Sequence, residues 1–150
     1  MTTPNGRDGM YRHVLLVVDL SEGSRTVGAR ARAIAAACGA EISLLHVVEY
    51  VPVEPMGETL LPTAEIEEEL VKRAGERLRA LAHELGLPDA RCRVETGNIK
   101  AEIVRVATDA GIDLVVLGSR ERHGLSILVN LTEDTVLHAA PCDLLAVRLK

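Results

Sequence analysis

The chain has 150 residues, of which 47% are hydrophobic, and a formal net charge of −5. Its length and apolar content predict one domain with a buried core, residues 11–150, preceded by a flexible leader over residues 1–10 that lacks the apolar core of a signal peptide. The acidic balance and the presence of only two aromatic residues, both tyrosine, argue against nucleic-acid binding, which needs a basic face and aromatic rings for stacking.

Cysteine spacing and hydropathy exclude two further classes of protein. Cys38, Cys92 and Cys142 form no CxxC pair, so we predict neither a disulfide framework nor a cysteine-rich metal site. No apolar run approaches the roughly 18 residues that a membrane span requires. These features predict a protein of the reduced cytoplasm.

The first predicted unit is a strand followed by a helix. The continuous apolar run His13–Val18 is typical of an interior strand in a parallel sheet, and it ends at Asp19. Ser21, or alternatively Ser24, is predicted to cap a helix that stops at Gly39.

Two more units of strand and helix follow. A strand over residues 42–48 contains His46, which we interpret as a satisfied core histidine. A long loop with three prolines then leads into a helix that is capped by Thr63 and ends before Gly86. Residues 91–95 alternate weakly, which predicts a short strand at a sheet edge, and a helix with a clear apolar face comes next.

The last part of the chain contains the first candidate for a ligand site. An apolar strand over residues 114–117 is predicted to enter a turn at Gly118-Ser119, followed by a charged loop, a helix, Pro141 and a final apolar strand. This order of elements predicts a three-layer α/β/α sandwich with five parallel strands. Ligands bind beyond the carboxyl ends of strands in such sheets, so residues 118–132 are the predicted site.

The chain resembles the universal stress protein family in four segments, which read VLLVVDLSEGS, LLHVVE, TGNIKAEIVRVATDAGIDLVVLGSRERHG and VLHAAPCDLLAVRL. The resemblance extends from about His13 to Leu149. It implies a Rossmann-like sheet of the adenine nucleotide alpha hydrolase-like type, with strand order 3-2-1-4-5. It also implies a cytoplasmic homodimer that is linked to stress survival.

ATP-binding members of that family carry the pattern G-x2-G-x9-G-[ST] after the fourth strand. Here Gly118 and Thr132 match its two ends, whereas Glu121 and Leu131 replace the second and third glycines. Such glycines let backbone N–H groups converge on phosphate oxygens. The carboxylate of residue 121 would repel a phosphate by on the order of 4 kcal/mol at about 4 Å, before screening. The Asp19-Leu20-Ser21 sequence also resembles the branch that does not bind ATP.

The alignment with nucleotide-binding members assigns a vestigial nucleotide site. Asp19 and Val47 would face adenine and ribose. The residues that would face the phosphates are Gly118, Ser119, Arg120 and Thr132. We therefore expect a non-enzymatic stress-response protein without a bound cofactor. The alternative is a switch that binds ATP or AMP, or a very weak ATPase that uses the modified glycine loop.

Each candidate residue also has a purely structural interpretation. Asp19 could bond the amides of its own turn, and Glu133 with Asp134 could serve only as helix-start acids. Nothing fixes His123, His138 and Glu121 within coordination distance of one another, so no metal site is predicted. Cys142 is expected to pack as a small apolar residue, because redox sensing would require exposure and a lowered pKa.

The final strand is predicted to lie at the sheet edge beside the fourth strand. An apolar edge invites aggregation unless it is paired, and pairing with a second copy across a two-fold axis removes the hazard. The resemblance implies the same mode of dimerisation. The predicted dimer strand consists of Asp143, Leu144, Leu145, Ala146, Val147, Arg148 and Leu149.

Overall fold

A computed structural model describes residues 9–49, 63–120 and 139–149. These residues form five strands and three helices in alternating order. The elements are β1 (His13–Val17), α1 (Ser24–Cys38), β2 (Glu41–Val48), α2 (Thr63–Glu84), β3 (Arg91–Thr96), α3 (Ile99–Asp109), β4 (Leu114–Arg120) and β5 (Asp143–Leu149). The predicted fourth helix and most of the predicted proline-containing loop lie outside the described residues, as do residues 1–8 of the predicted leader.

The five strands form one parallel sheet in the order β3-β2-β1-β4-β5. This order confirms the predicted Rossmann-like topology and places β3 and β5 at the two edges. β1 lies at the centre because its run of apolar residues is buried on both faces; Val14, Leu15 and Leu16 are fully buried. The carboxyl end of β1 is therefore surrounded by neighbouring strands, which is the position where such sheets bind ligands.

Helices cover both faces of the sheet. α1 and α2 pack on one face, where Ala31 and Leu78 join the even-numbered residues of β1 in one apolar cluster. α3 packs on the other face, where Ile103 and Val106 join Leu15 in a second cluster. The alternation of side chains along each strand thus divides the core into two layers of packing, as a three-layer sandwich requires.

Two local predictions are wrong. Gly118 and Ser119 lie inside β4 rather than in a turn, because β5 pairs with β4 as far as Arg120 and keeps the backbone extended. Neither Ser21 nor Ser24 caps α1. The helix begins after Gly23 without a side-chain cap, and both serine hydroxyls instead donate to the carboxylate of Asp19.

The two sheet edges differ in charge. On β3, Arg93 and Glu95 form an ion pair at 3.0 Å, and Arg105 of α3 reaches the same carboxylate group at 3.1 Å. Most of the β5 side chains are apolar, with Asp143 at the start and Arg148 near the end. No helix in the described parts of the chain is long and apolar enough to cross a membrane.

Candidate functional site

A cleft of about 270 Å³ lies at the carboxyl ends of β1, β2 and β4, between the beginnings of α1 and α3. This is the point where the strand order reverses, since β1 lies between β2 and β4 in the sheet. Aliphatic side chains make up most of the described walls. They come from four strands and two helices and include Val17, Val27, Val47, Ile99, Leu117 and Leu149.

Three of the six predicted nucleotide-site residues line this cleft, namely Asp19, Val47 and Gly118. Ser119 is half-buried in β4 and does not line it. Arg120 ends β4, but its side chain is outside the described part of the structure, and so is the whole of Thr132. The fold therefore brings Asp19 and Val47, which were predicted to face adenine and ribose, together with Gly118, which was predicted to face a phosphate.

The carboxylate of Asp19 connects the end of β1 to the start of α1. Its Oδ1 accepts hydrogen bonds from the backbone N–H of Ser21 at 2.9 Å and from the Ser21 hydroxyl at 2.6 Å. It also accepts one from the buried hydroxyl of Ser24 at 3.2 Å. This confirms the interpretation that Asp19 bonds its own turn. The same residue also lines the cleft, so its negative charge borders any ligand there.

A strained turn follows Asp19. Leu20 has a φ of 62°, a left-handed conformation that costs a non-glycine residue roughly 1–2 kcal/mol. Arg77 of α2 donates from Nη2 to the Leu20 carbonyl oxygen at 2.6 Å. Sequence reasoning missed this contact, because 57 positions separate the two residues and no motif connects them. The hydrogen bond from α2 holds the turn that positions Asp19.

His46 also lines the cleft. Its Nδ1 lies 2.8 Å from the carbonyl oxygen of Val18. A carbonyl oxygen can only accept, so Nδ1 carries the hydrogen and Nε2 of the neutral ring is an acceptor. The prediction of a satisfied histidine is confirmed, but its place in the cleft wall was not foreseen.

Comparison with known proteins identifies the family. Residues 10–148 match the model of the Universal stress protein family. The chain belongs to this family. It is 35% identical over 141 residues to Universal stress protein A homolog 1 of Coxiella burnetii, an alignment that covers 93% of this chain and 98% of that protein. Universal stress protein A homolog 2 of the same organism is 31% identical over 141 residues, covering 93% of this chain and 97% of that protein.

Solved structures of universal stress proteins share the fold. Universal stress protein UspA from Lactobacillus plantarum superposes with a TM-score of 0.71 at 22% identity, covering 92% of this chain and 98% of that one. A universal stress protein solved in complex with cAMP superposes with a TM-score of 0.67 at 24% identity, covering 91% and 97% of the two chains. At these identities the likeness concerns the fold.

Gly118, the first glycine of the family motif, has a packing role in this universal stress protein. A Cβ at this position would lie 3.0 Å from Leu149 Cδ1 and 3.0 Å from Val27 Cγ2. The φ of Gly118 is not positive. The close packing of Val27 on α1 and Leu149 on β5 therefore accounts for a glycine at this position, and phosphate binding is not needed to explain it.

Metal and redox chemistry find no support in the described part of this family member. No group of three or more histidine, cysteine, aspartate or glutamate side chains there could hold a metal ion. His123, His138 and Glu121 lie outside it. Burial, followed by the nearby carboxylates of Asp143 and Asp113, raises the pKa of the Cys142 thiol. A raised pKa lowers the thiolate fraction at neutral pH, so Cys142 does not have the character of a redox sensor.

Proposed function

We propose that this chain is a non-enzymatic stress-response protein of the cytoplasm, which acts as a homodimer and retains no adenine nucleotide. Membership of the Universal stress protein family supports the stress-response role. The observation that carries the nucleotide part of the proposal is that none of the described residues lining the cleft is lysine or arginine. The chain also lacks the P-loop and GxSxG sequences that would indicate nucleotide hydrolysis or nucleophilic catalysis.

Phosphate groups need cations or converging backbone N–H groups. The described residues that line the cleft therefore provide no cationic side chain for a triphosphate. Glu121 and Leu131 occupy the positions where two motif glycines would expose backbone N–H groups. Both features oppose retention of a triphosphate.

The nucleotide content of the purified protein tests this part of the proposal. Protein purified without added nucleotide is denatured, and the supernatant is separated by anion-exchange chromatography with absorbance at 260 nm. We expect well under 0.1 mole of adenine nucleotide per mole of chain, roughly the occupancy left after dilution of a millimolar-affinity ligand. Stoichiometric release of ATP or AMP would contradict the proposal.

The dimer part rests on the outer edge of β5, the side that faces away from β4. The N–H of Asp143 donates to the Asp113 carbonyl, so Asp143 points its backbone groups toward β4. Backbone direction alternates along a strand, so Leu144 and Ala146 direct their N–H and C=O groups outward. Among the described residues no strand pairs with that side. A second copy of β5 would satisfy these groups across a two-fold axis.

Proline at position 146 tests the dimer without disturbing the pairing of β5 with β4. Ala146→Pro removes an outward N–H at an exposed position, which an edge strand tolerates. We expect the native chain and the control variant Ala146→Val, which keeps the N–H, to be dimers by size exclusion with light scattering. Ala146→Pro is expected to be a folded monomer at micromolar concentration. A monomeric native chain, or a proline variant that dimerises as tightly as the native chain, would contradict the proposed interface.

The second candidate function is a switch that binds adenine nucleotide, with ATP, AMP or cAMP as ligand or with very weak ATPase activity. Two observations favour it: the cleft lies at the position where the sheet reverses, and a universal stress protein of the same fold was solved in complex with cAMP. Calorimetric titration with each nucleotide, together with a phosphate-release assay, separates the candidates. Saturable binding of any of them below about 100 µM would favour the switch.

A further inference from the structure

We propose that the outward face of α1 is a docking surface for an acidic helix of another protein. This inference rests on the proposed function in one respect, since a stress-response protein without an enzymatic activity of its own acts by binding other molecules. It goes further in naming the surface and the kind of partner. The charge of α1 and the arrangement of its arginines carry it.

α1 is the most cationic of the described elements. It contains Arg25, Arg30 and Arg32 and no acidic residue, although the whole chain has a formal net charge of −5. The helices α2 and α3 each contain at least as many acidic as basic residues. Arg25 forms an ion pair with Glu84 at 2.9 Å, but no described carboxylate pairs with Arg30 or Arg32. These two exposed cations therefore attract an anion from outside the chain.

The arginines lie on both sides of the exposed face. α1 turns its buried residues toward the sheet, so the opposite side of the helix points to solvent. Arg25 and Arg32 lie on the flank next to α2, where a Cβ added at Gly86 would be 3.5 Å from Arg32 Nη2. Arg30 lies on the opposite flank, because successive residues of a helix are about 100° apart. The exposed residues between the two flanks have short side chains: Thr26, Ala29, Ala33 and Ala36.

Charge complementarity makes a helix with carboxylates on both flanks the partner that fits this face. Helix axes pack about 8–10 Å apart, and they come closest where the side chains at the contact are short, as they are here. The arginines on either side can then reach the carboxylates of the docked helix and form charge-assisted hydrogen bonds. The face stays accessible in the proposed dimer, because β5 lies at the edge of the sheet.

Two other anionic partners fit this face less well. A helix that binds a membrane inserts large apolar side chains, whereas the exposed apolar residues of α1 are alanines. Nucleic acid is bound by an extended basic surface, but the neighbouring helix α2 begins with a run of acidic residues, from Glu65 to Glu69. A single acidic helix needs no cations beyond those of α1.

A matched pair of labelled peptides tests the inference. The acidic peptide is a fluorescein-labelled helix of about three heptads, with alanine at positions a and d and glutamate at e and g, and its neutral counterpart has glutamine in place of each glutamate. A hydrocarbon cross-link on the far side keeps both peptides helical. Fluorescence anisotropy with the full-length chain at about 50 mM NaCl should give saturable binding of the acidic peptide, with Kd below about 100 µM. The neutral peptide should bind at least about tenfold more weakly, and salt at about 300 mM should weaken the acidic peptide about threefold.

Substitutions on α1 assign the binding to this face. Arg30→Gln and Arg32→Gln each replace one good helix former by another and remove one charge, so each should weaken the acidic peptide about threefold, and the double variant about tenfold. The control is Arg91→Gln, the same change at an exposed arginine on the edge strand β3. The control should change the Kd by less than about twofold, because Arg91 is not part of the proposed face. Circular dichroism and thermal unfolding check that each variant is folded.

Several outcomes would overturn the inference. One is no saturable binding of the acidic peptide, and another is equal affinity for the two peptides. A third is a control variant that loses as much affinity as the α1 variants, because the peptide then responds only to the net charge of the chain. If the double variant fails to fold, the comparison of the two peptides on the native chain still decides.

Other occupants of the face are distinguished by the same double variant. Vesicles of phosphatidylglycerol or a single-stranded oligonucleotide that bind more tightly than the acidic peptide, and lose this affinity in the double variant, would overturn the choice of a helix as partner. Assembly of the native chain beyond a dimer that the double variant abolishes would show instead that a second copy covers the face. Release of a nucleotide from purified protein would contradict the proposed function, whereas absence of peptide binding leaves that function intact.

Discussion

Gly28, in the second turn of α1, is the position where one added methyl group should have the most informative effect on stability. A Cβ there would lie 2.5 Å from Leu85 Cδ1, 3.0 Å from Cδ2 and 3.3 Å from Cγ. Leu85 follows the end of α2 and is 8% exposed. The close approach of α1 to the end of α2 therefore depends on the absence of a side chain at position 28.

The expected free-energy change follows from two opposing terms. Replacing a helical glycine by alanine stabilises the helix by about 1 kcal/mol. Apolar carbons normally approach to about 3.5–4.0 Å, so the closest contact is about 1 Å too short and Leu85 must move. Overpacking of this kind costs about 1–3 kcal/mol, and the contact with the whole isobutyl group places Gly28→Ala near the upper limit. The net result should be a loss of about 2 kcal/mol.

Gly75 provides a matched control. It is also a buried glycine in a helix, but the nearest atom to its added Cβ is Arg79 Nη2 at an ordinary 3.5 Å. Gly75→Ala should therefore raise the free energy of unfolding by about 1 kcal/mol. The two variants should differ by about 3 kcal/mol in urea denaturation and by roughly 6–12 °C in midpoint temperature.

A double-mutant cycle with Leu85→Ala tests the cause. Removing the isobutyl group should reverse the effect, so that Gly28→Ala stabilises the Leu85→Ala background by about 1 kcal/mol. The coupling between the two positions should then be about 3 kcal/mol. Additive effects, or a stabilised Gly28→Ala single variant, would refute the contact between α1 and Leu85 as the reason for this glycine.

Two further predictions concern the ends of the strands. The hydrogen bond that the Tyr11 hydroxyl donates to Asp143, together with burial and nearby acids, raises the pKa of Tyr11 above its ordinary value of 10.0. This hydrogen bond therefore stabilises the fold fully below about pH 10, and the stabilisation is lost as the pH rises through the raised pKa. Tyr11→Phe should therefore cost about 1 kcal/mol at pH 7 and progressively less as the pH rises above the ordinary tyrosine value of 10.0. Urea denaturation at a series of pH values measures this, and a cost that does not change with pH would contradict the linkage. Arg77→Met should lower the free energy of unfolding by about 1 kcal/mol, because it removes the donor to the Leu20 carbonyl. The control Arg73→Met loses only an exposed helical ion pair and should cost under about 0.5 kcal/mol. Equal losses would show that the turn does not depend on Arg77.

The sequence predicts the sheet well because each of the interior strands is a distinct apolar run. The apolar run that ends at Asp19 and the apolar residues after Pro141 are short, uninterrupted and separated from helical patterns. Their order and the handedness of crossovers then leave few possible topologies. Asp19 was predicted as a site residue by its position at a strand end, and it does line the cleft. The dimer interface on β5 and the nucleotide site stay predictions.

Other features depend on contacts between distant residues and were not predictable in this way. The serines after Asp19 have the side chains of helix caps, but both hydroxyls donate charge-assisted hydrogen bonds to the Asp19 carboxylate, and neither oxygen accepts from the amides that begin α1. Gly118 was interpreted through a phosphate motif, although its neighbours in space, Val27 and Leu149, account for it. Gly28 gave no sequence signal, because only the packing of α2 against α1 makes its size matter.

The difference in charge between the two sheet edges limits how many subunits can join through their sheets. If β5 pairs with its own copy, the joined sheet contains twice five strands and has a β3 strand at each end. The ion pairs of Arg93, Glu95 and Arg105 flank both ends, and an incoming strand would have to disrupt or desolvate them. The assembly should therefore close at two subunits and not extend into a fibre, even at high concentrations of the protein.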